Sequence, residues 1–416
     1  MLFQIKSKTE DFIVEEILWE WIPSWKWDFL YVFFEKENLT TMDIVDELTK
    51  NFHLQRDEIW IAWLKDKAWI TRQWISISKR SLSKIWWEES FIQILWKKVK
   101  ILEKSYNESW LKVASNHWNK FEIRLRARQD ISNEIKNQIE NNVQKIIEKW
   151  FPNCFWMQRF GKWKKNFYEA KDRLKQLAQE YNGKWKLKEA DLPYHLRFLL
   201  QDYPSMYFNE YVLNRWEKWL FLLQWDILVD RFNSNWVKTA VYDSQKIYPF
   251  DYQKLKKEKS DLNFFESNVN LSSWTEWRIL GDAQDFYHVG GALAKASEWQ
   301  FEENKRFPTW PMLGWNLLLP SEWSKARVRD NQLLELAEFD EWMQQICKIY
   351  NLRWVRRVLF IKVPDLKFEW DNDDIKLEFF LPTWSYATTL VSFILQWIDH
   401  LTLKDNSLLI PRISNK

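Results

Sequence analysis

Glycine is scarce in this chain, and tryptophan stands at many positions where a turn ordinarily needs glycine. The 416 residues include 6 glycines and 32 tryptophans. Several tryptophans lie in turn-like stretches such as Asn-Glu-Ser-Trp110, Ser-Asn-Trp236 and Pro-Thr-Trp310-Pro. A backbone with positive φ favours glycine because glycine lacks a Cβ, and an indole there is strained. Our hypothesis is that most of these tryptophans are UGA codons that the source organism reads as glycine.

An alternative explanation for the tryptophans is an aromatic surface on which bases or sugars stack. That alternative predicts tryptophan on the faces of strands and not inside turns rich in serine, asparagine and proline. The positions quoted above favour the codon hypothesis.

The stretch from Glu58 to Trp74, EIWIAWLKDKAWITRQW, predicts two buried strands joined by a charged turn. Apolar residues alternate at Ile59 and Ile61 and resume from Ile70 to Ile77, as short buried strands do. Asp66 lies in the turn between two lysines. Neighbouring positive charge lowers the pKa of a carboxylate and keeps it ionised, as a nucleophile requires. The tetrapeptide alone favours the alternative, which is an ordinary polar turn.

The segment AWLKDKAWITRQW resembles the signature of the TruD family of tRNA pseudouridine synthases. In that family Ala-Gly-x-Lys-Asp-Lys, a short spacer and Thr-x-Gln-Trp surround the catalytic aspartate. The resemblance implies that Asp66 is catalytic and that Thr71, Gln73 and Trp74 close the motif. The sequence departs from the family at Trp63, where the family has glycine.

Two further segments of the first 121 residues resemble family motifs. Residues 6–16 match Lys-x-x-x-Glu-Asp-Phe-x-Val-x-Glu, which makes Lys6 a candidate active-site cation, although composition alone indicates a solvated lysine. Residues 118–121 match Gly-Asn-x-Phe, with Trp118 in the glycine position. The resemblance implies that Asn119 hydrogen-bonds an extruded base and that Phe121 stacks on it. The alternative is a turn asparagine followed by a core phenylalanine.

Residues 151–161 resemble the family motif Pro-Asn-x-Phe-Gly-x-Gln-Arg-Phe-Gly. The resemblance implies a second group of substrate-binding residues: Asn153, Phe155, Gln158, Arg159 and Phe160. Lysines and arginines follow this motif, interleaved with aromatic residues, as on a surface that tracks RNA phosphates. We therefore expect positive side chains to border the active site, drawn from Arg159, Lys162, Lys164, Arg356 and Arg357. The alternative is the polar face of a helix near residues 166–181.

The matched motifs run in order from residue 6 to residue 389, and the resemblance therefore implies the fold of nearly the whole chain. It implies an α+β protein whose pseudouridine-synthase catalytic domain has a mainly antiparallel central sheet. That domain comprises residues 1–160 plus 353–416. An inserted α/β domain of the TruD type, residues 161–352, interrupts it and flanks the active-site cleft.

Composition excludes several other classes of protein. Hydrophobic residues make up 46% and charged residues 29% of the chain, with a net charge of +3, as in a soluble globular protein. The sequence contains no apolar run of membrane-spanning length and no signal-peptide pattern, so we expect no membrane contact and a cytoplasmic location. The 2 cysteines and 5 histidines are scattered without metal-ligand spacing, so we expect no metal.

The resemblance implies conversion of a uridine in tRNA, uridine-13 in the best-known members, to pseudouridine. This reaction needs no cofactor. Whether the aspartate forms an adduct with the base or acts through a glycal stays open. A non-catalytic RNA-binding protein with the same fold is the alternative function. A second alternative, an aromatic-rich carbohydrate-binding or scaffold protein, rests on the tryptophan count alone. A monomer is expected, although the sequence does not determine the oligomeric state.

Overall fold

The computed structural model describes residues 2–18, 28–62, 64–65, 67, 69–83, 99–111, 116–148, 150–161, 164–181, 196, 199–217, 227–230, 237–242, 279–281, 284–289, 306–312, 314, 319, 325–350, 352, 355–382 and 385–395. They form two compact units. The first holds the described residues up to 147 and those of 363–387; the second holds those of 148–362 and 388–395. The predicted domain boundaries lie at 160/161 and 352/353, and that domain assignment remains a prediction.

The described strands are, in chain order, β1 (Phe3–Ile5), β2 (Phe12–Leu18), β3 (Phe29–Lys36), β4 (Ile59–Ile61), β5 (Ile70–Ser78), β6 (Lys100–Asn107), β7 (Asn116–Ala127), β8 (Phe151–Pro152), β9 (Ile227–Asp230), β10 (Val237–Tyr242), β11 (Ile279–Gly281), β12 (Gln284–Val289), β13 (Arg306–Met312), β14 (Val355–Val358), β15 (Phe360–Ile361), β16 (Lys367–Asp371) and β17 (Asp374–Pro382). The described helices are α1 (Thr41–Phe52), α2 (Lys79–Ser83), α3 (Asn133–Glu148), α4 (Met157–Phe160), α5 (Lys165–Tyr181), α6 (Asp202–Glu217), α7 (Lys325–Leu336), α8 (Glu341–Ile349) and α9 (Ala387–Leu395). In this part of the chain no helix has the length and hydrophobicity needed to cross a bilayer.

The first unit is built on a nine-stranded sheet. Seven strands follow the order β16-β17-β7-β2-β5-β3-β6, while β1 also pairs with β7 and β4 also pairs with β5. Every described strand pair of this sheet is antiparallel except β2 with β5, which run parallel over three residues. This arrangement confirms the expected α+β class with a mainly antiparallel central sheet.

Helix α1 covers one face of this sheet, as its apolar stripe predicts. Ile44, Val45 and Leu48 are buried against residues of β3 and β5. The hydroxyl of Thr40 accepts the N–H of Asp43, and the Asp43 carboxylate accepts the N–H of Thr40. This reciprocal cap starts the helix at Thr41 and satisfies two of its otherwise unpaired N–H groups.

The second unit contains a six-stranded sheet in the order β11-β12-β10-β9-β13-β14 and the short pair β8-β15. Aromatic residues of α6 form much of its described core: Tyr203, Tyr207, Phe208 and Tyr211 are all buried. Trp310 of β13 is fully buried and stacks on Tyr211 with ring centroids 5.1 Å apart. The highly polar stretch from Tyr252 to Asn270 lies outside the described residues.

The described tryptophans do not occupy left-handed backbone. Positive φ occurs at Gly161 and at six other described residues, none of them tryptophan: Lys6, Asn38, His53, Lys164, Glu338 and Asn372. Trp118 and Trp310 lie in strands, and Trp156 has φ −88°. Left-handed strain therefore does not arise at these three positions, and the turn expected at Trp310 is wrong because this residue lies within β13. Trp63 and Trp384 lie outside the described residues.

Candidate active site

The turn between β4 and β5 carries Asp66, which itself lies outside the described residues. Its preceding neighbour is tied to the start of α1 through both backbone groups. The N–H of Lys65 donates to the Thr41 hydroxyl at 2.9 Å, and the Lys65 carbonyl accepts the Thr41 N–H at 3.4 Å. The Thr41 hydroxyl in turn donates to Oε1 of Gln73 on β5 at 2.9 Å.

The side chain of Lys65 reaches across the sheet face to two buried polar residues. Its ammonium donates to Oδ1 of Asn119 at 2.7 Å and lies 3.4 Å from Oε1 of Glu16. The strand register explains this meeting, because Glu16 on β2 stands opposite Asn119 on β7. Oε2 of Glu16 also accepts the backbone N–H of Trp74 at 3.2 Å.

Burial raises the pKa of Glu16, while Lys65 and the N–H of Trp74 oppose that rise. A carboxylate that is 1% exposed would lose its hydration without compensation, and these partners supply part of what water supplied. The positive charge of Lys65 is thus partly balanced within the protein. Lys67, on the other side of Asp66, is exposed.

Lys6 lies against the far end of the same turn. Its φ of 60° is uncommon for a residue other than glycine. The ammonium lies 4.2 Å from the ring centroid of Phe12 and 4.3 Å from that of Trp69, which is the third residue after Asp66. Contacts of this length are cation–π interactions.

Phe121 lies on the buried face of β7, two residues beyond Asn119. Its ring stacks on Phe379 of β17 with centroids 5.4 Å apart and meets Phe12 edge-on at 6.1 Å. Phe12 therefore contacts both Lys6 and Phe121. The structure brings together the three described candidates of the first unit, Lys6, Asn119 and Phe121, around the two described sides of the turn that carries Asp66.

Three residues that hold this turn are not among the residues predicted to bind the substrate: Glu16, which ends the matched segment 6–16, Gln73 of the aspartate motif, and Thr41 at the start of α1. Two features of the sequence could have identified Glu16 and Thr41. Glu16 continues the buried alternation of Phe12 and Val14, where an apolar residue is expected. Thr41 follows a threonine that already caps the helix, so its own hydroxyl serves another partner.

In the second unit, Asn153 and Phe155 are engaged within the protein. The guanidinium of Arg357 donates to the carbonyl and to Oδ1 of Asn153, both at 3.0 Å. It also lies 4.0 Å from the ring centroid of Phe155. The backbone N–H and C=O of Phe155 are both bonded by the Asn209 side chain. These contacts bind Asn153, Phe155 and Arg357 to one another, so a substrate-binding role for the first two remains a prediction.

Arg159 and Phe160 belong to the short helix α4. Phe160 is buried, and Nε of Arg159 lies 2.6 Å from Oδ1 of Asp202. Burial raises the pKa of Asp202 to about 6, while Arg159 and Asn166 oppose the shift. Gln158 lies in α4, but its side chain is outside the described part of the structure.

The other basic residues expected at the border of the site are described only in part. Lys164 precedes α5, and burial lowers its pKa. Arg357 is 7% exposed and faces Asn153. Lys162 and the side chain of Arg356 lie outside the described residues. Their role at the border therefore remains a prediction.

Comparison with known proteins gives consistent matches along the chain. Residues 2–181 match the model of a family described as tRNA pseudouridine synthase D (TruD). A protein called tRNA pseudouridine synthase D from Sulfurimonas denitrificans is 25% identical over 393 residues, which cover 94% of this chain and 95% of that protein. A protein of the same name from Wolinella succinogenes is 26% identical over 393 residues, or 94% of this chain and 93% of that protein.

A solved structure matches the fold. The crystal structure of a tRNA pseudouridine synthase D candidate from Methanosarcina mazei superposes with a TM-score of 0.60 at 18% sequence identity. The match covers 95% of this chain and 93% of that chain. At this level of identity the likeness speaks for the fold alone.

Proposed function

Because the chain belongs to the TruD family, we propose that it is a tRNA pseudouridine synthase that isomerises a uridine of tRNA, uridine-13, to pseudouridine. Asp66 is the catalytic residue of this proposal. The protein acts on tRNA in the cytoplasm, as a monomer, without a metal or an organic cofactor.

The reaction rearranges the uridine without adding or removing atoms. The bond between N1 of uracil and C1′ of the ribose breaks, and a bond between C5 and C1′ forms. C5 loses its proton and N1 gains one. Because the base must turn relative to its sugar, the nucleotide has to leave the base stack before it reacts. The carboxylate of Asp66 acts on the nucleoside as nucleophile or as base.

One observation supports this function above the others. The described residues on both sides of Asp66 contact the residues assigned to the base pocket: Lys65 bonds Asn119, and Trp69 contacts Lys6. A flipped base needs a hydrogen-bonding group, a ring to stack on and a cation nearby. Asn119, Phe121 and Lys6 supply these three groups. The second group, from Asn153 to Phe160, contacts the tRNA in this proposal.

The test is incubation of the purified protein with unmodified tRNA transcripts, followed by pseudouridine-specific chemistry and sequencing. The expected product is pseudouridine at uridine-13, and a transcript with cytidine at that position serves as the control. A protein that binds tRNA but forms no pseudouridine in any transcript is the non-catalytic RNA-binding alternative, and that result overturns the proposal.

A further inference from the structure

Thr41 holds the backbone of Lys65 at two points. The hydroxyl of Thr41 accepts the N–H of Lys65, which lies 24 positions later in the chain. The N–H of Thr41 donates to the Lys65 carbonyl. Thr41 is 1% exposed, so water does not compete for these bonds. Because Thr40 already caps the helix, capping does not explain the hydroxyl of Thr41. Its bonds to Lys65 and Gln73 tie the turn to both α1 and β5.

Glu16 holds the other end of the same lysine. β2 and β5 pair in parallel only as far as Glu15 and Arg72. Beyond that pair the Glu16 carboxylate accepts a hydrogen bond from the backbone N–H of Trp74. Its second oxygen faces the Lys65 ammonium at 3.4 Å. A buried carboxylate contributes less to stability than an apolar side chain in a well-packed core. We therefore infer that Glu16, which continues the buried alternation of Phe12 and Val14, serves to position its partner Lys65.

These contacts fix both the backbone and the side chain of the residue that precedes Asp66. Consecutive Cα atoms are ~3.8 Å apart, so a fixed residue 65 restricts where residue 66 can stand. Catalytic groups must keep their geometry to within about 0.5 Å. A displacement of about 1 Å, even one caused from a distance, costs on the order of 100-fold in rate.

We propose that Glu16 and Thr41 are positioning residues for Asp66, acting through Lys65. Glu16, Thr41 and Asn119 all bind Lys65, and we call these four residues the Lys65 clamp. The inference rests on the proposed function, in which Asp66 is catalytic. The Lys65 clamp acts on the isomerisation step and leaves the affinity for tRNA to the phosphate contacts.

Thr41→Val tests the backbone half of the Lys65 clamp, because valine keeps the shape of threonine and removes the hydroxyl. The single-turnover rate of pseudouridine formation at saturating enzyme should fall on the order of 10- to 100-fold. The dissociation constant for tRNA, from filter binding at fixed salt, should stay within about twofold. Thr41→Ser restores the hydroxyl and should recover most of the rate. The matched control is Thr49→Val at a half-buried position of the same helix, where the hydroxyl donates to the Asp46 carbonyl and not to the turn.

Glu16→Gln tests the side-chain half. Glutamine keeps an acceptor for the N–H of Trp74 and removes the negative charge that faces Lys65. The expected result is again a rate loss on the order of 10- to 100-fold with unchanged tRNA affinity. Glu15→Gln removes the same charge one residue earlier, where the carboxylate pairs with Arg72 on the opposite face, and should keep the parent rate.

The outcomes separate this inference from the function on which it rests. If Thr41→Val and Glu16→Gln isomerise within about twofold of the parent rate while Asp66→Asn is inactive, the Lys65 clamp fails and the function stands. A rate loss matched by an equal loss of tRNA affinity, or not recovered by Thr41→Ser, also overturns the clamp. If Asp66→Asn keeps the parent rate, the catalytic role of Asp66 fails and the Lys65 clamp fails with it. If the parent protein forms no pseudouridine, the proposed function fails. Thermal unfolding identifies a variant that does not fold. If Glu16→Gln does not fold, the comparison of Thr41→Val with Thr41→Ser alone tests the Lys65 clamp.

Discussion

The Lys65 ammonium donates a hydrogen bond of 2.7 Å to Oδ1 of Asn119, a residue 54 positions later in the chain. Lysine carries only donors, so the contact orients the oxygen of the Asn119 amide toward the turn. Two motifs that are far apart in sequence thereby share one bond. The turn that carries Asp66 and the strand that carries Phe121 are positioned together.

A double-mutant cycle between Lys65→Met and Asn119→Ala measures this bond. Hydrogen bonds to charged groups contribute about 1.5–3 kcal/mol. The loss of unfolding free energy in the double variant should therefore differ from the sum of the two single losses by roughly 1–3 kcal/mol. Glu16 remains beside Lys65 in the Asn119→Ala variant, which limits the damage of the single change. Urea unfolding of the four proteins provides the values. Strict additivity would show that the contact contributes nothing to stability.

Asp66→Asn separates catalysis from binding. Asparagine keeps the shape of aspartate and removes the charge, so the nucleophilic or basic role is lost. Single-turnover formation of pseudouridine should disappear. Filter binding of tRNA should persist or strengthen slightly, since lysine and arginine contacts to phosphates supply most of the affinity. Asp57→Asn, an exposed aspartate nine positions earlier, is the control for the loss of charge. An Asp66→Asn enzyme with a rate near that of the parent contradicts the mechanism.

Phe121→Ala should affect both stability and substrate. The ring is buried against Phe379 and Phe12, so truncation costs about 3–5 kcal/mol of unfolding free energy. The variant also loses stacking on the base, which contributes about 1–3 kcal/mol per base. It should therefore bind the flipped uridine more weakly but still form pseudouridine. The matched control is Phe379→Ala, which opens the same stack from β17. If both variants lose kcat/KM equally below their unfolding temperatures, Phe121 has no separate role with the substrate.

Local patterns predict the elements of the first unit well, and distant contacts are what they leave out. The apolar stripe of Ile44, Val45 and Leu48 predicts α1, and alternation predicts β5, because burial on one face imposes a period. The meeting of Glu16 with Asn119 depends on strand order and register, which no local pattern contains. The motif around Asn153 shows the same limit: its partner Arg357 stands 204 residues away.

Asp202 should make the stability of the second unit fall as pH rises. Burial raises its pKa from 3.8 to about 6, so between these values the folded chain keeps a proton that the unfolded chain has lost. Stability from this group is thus present at low pH and is lost as pH rises through about 6. One pKa unit corresponds to about 1.4 kcal/mol, and after allowance for solvent screening the effect is on the order of 1–3 kcal/mol.

Asp202→Asn removes this titration. The unfolding free energy of the parent minus that of the variant should decrease as pH rises from below 3.8 to above about 6, the two pKa values. Urea unfolding across this range of pH would record the decrease. The ion pair with Arg159, at 2.6 Å, opposes the burial. If the difference instead grows with pH, attraction to Arg159 outweighs the cost of burying the charge.

The glycine hypothesis makes its sharpest prediction at Trp310. Its indole is fully buried, and within the described part of the structure its Nε1–H has no hydrogen-bond partner. An unsatisfied buried donor costs about 1–3 kcal/mol, a cost that glycine at this position does not carry. The stretch Pro-Thr-Trp310-Pro is one of those in which the codon hypothesis places glycine. Protein isolated from the organism that encodes it should therefore contain glycine at 310.

Tandem mass spectrometry of tryptic peptides checks this directly. Residue 310 falls in the peptide of residues 307–325, which follows Arg306 and ends at Lys325. The internal control is the peptide of residues 73–79, whose Trp74 matches a tryptophan of the family motif. That tryptophan is buried and stacks on Phe33 with centroids 4.9 Å apart, so it should be tryptophan under either hypothesis if its codon is UGG. Tryptophan at both 310 and 74 would reject the codon hypothesis at position 310, and the buried indole would then be a genuine part of the core around α6.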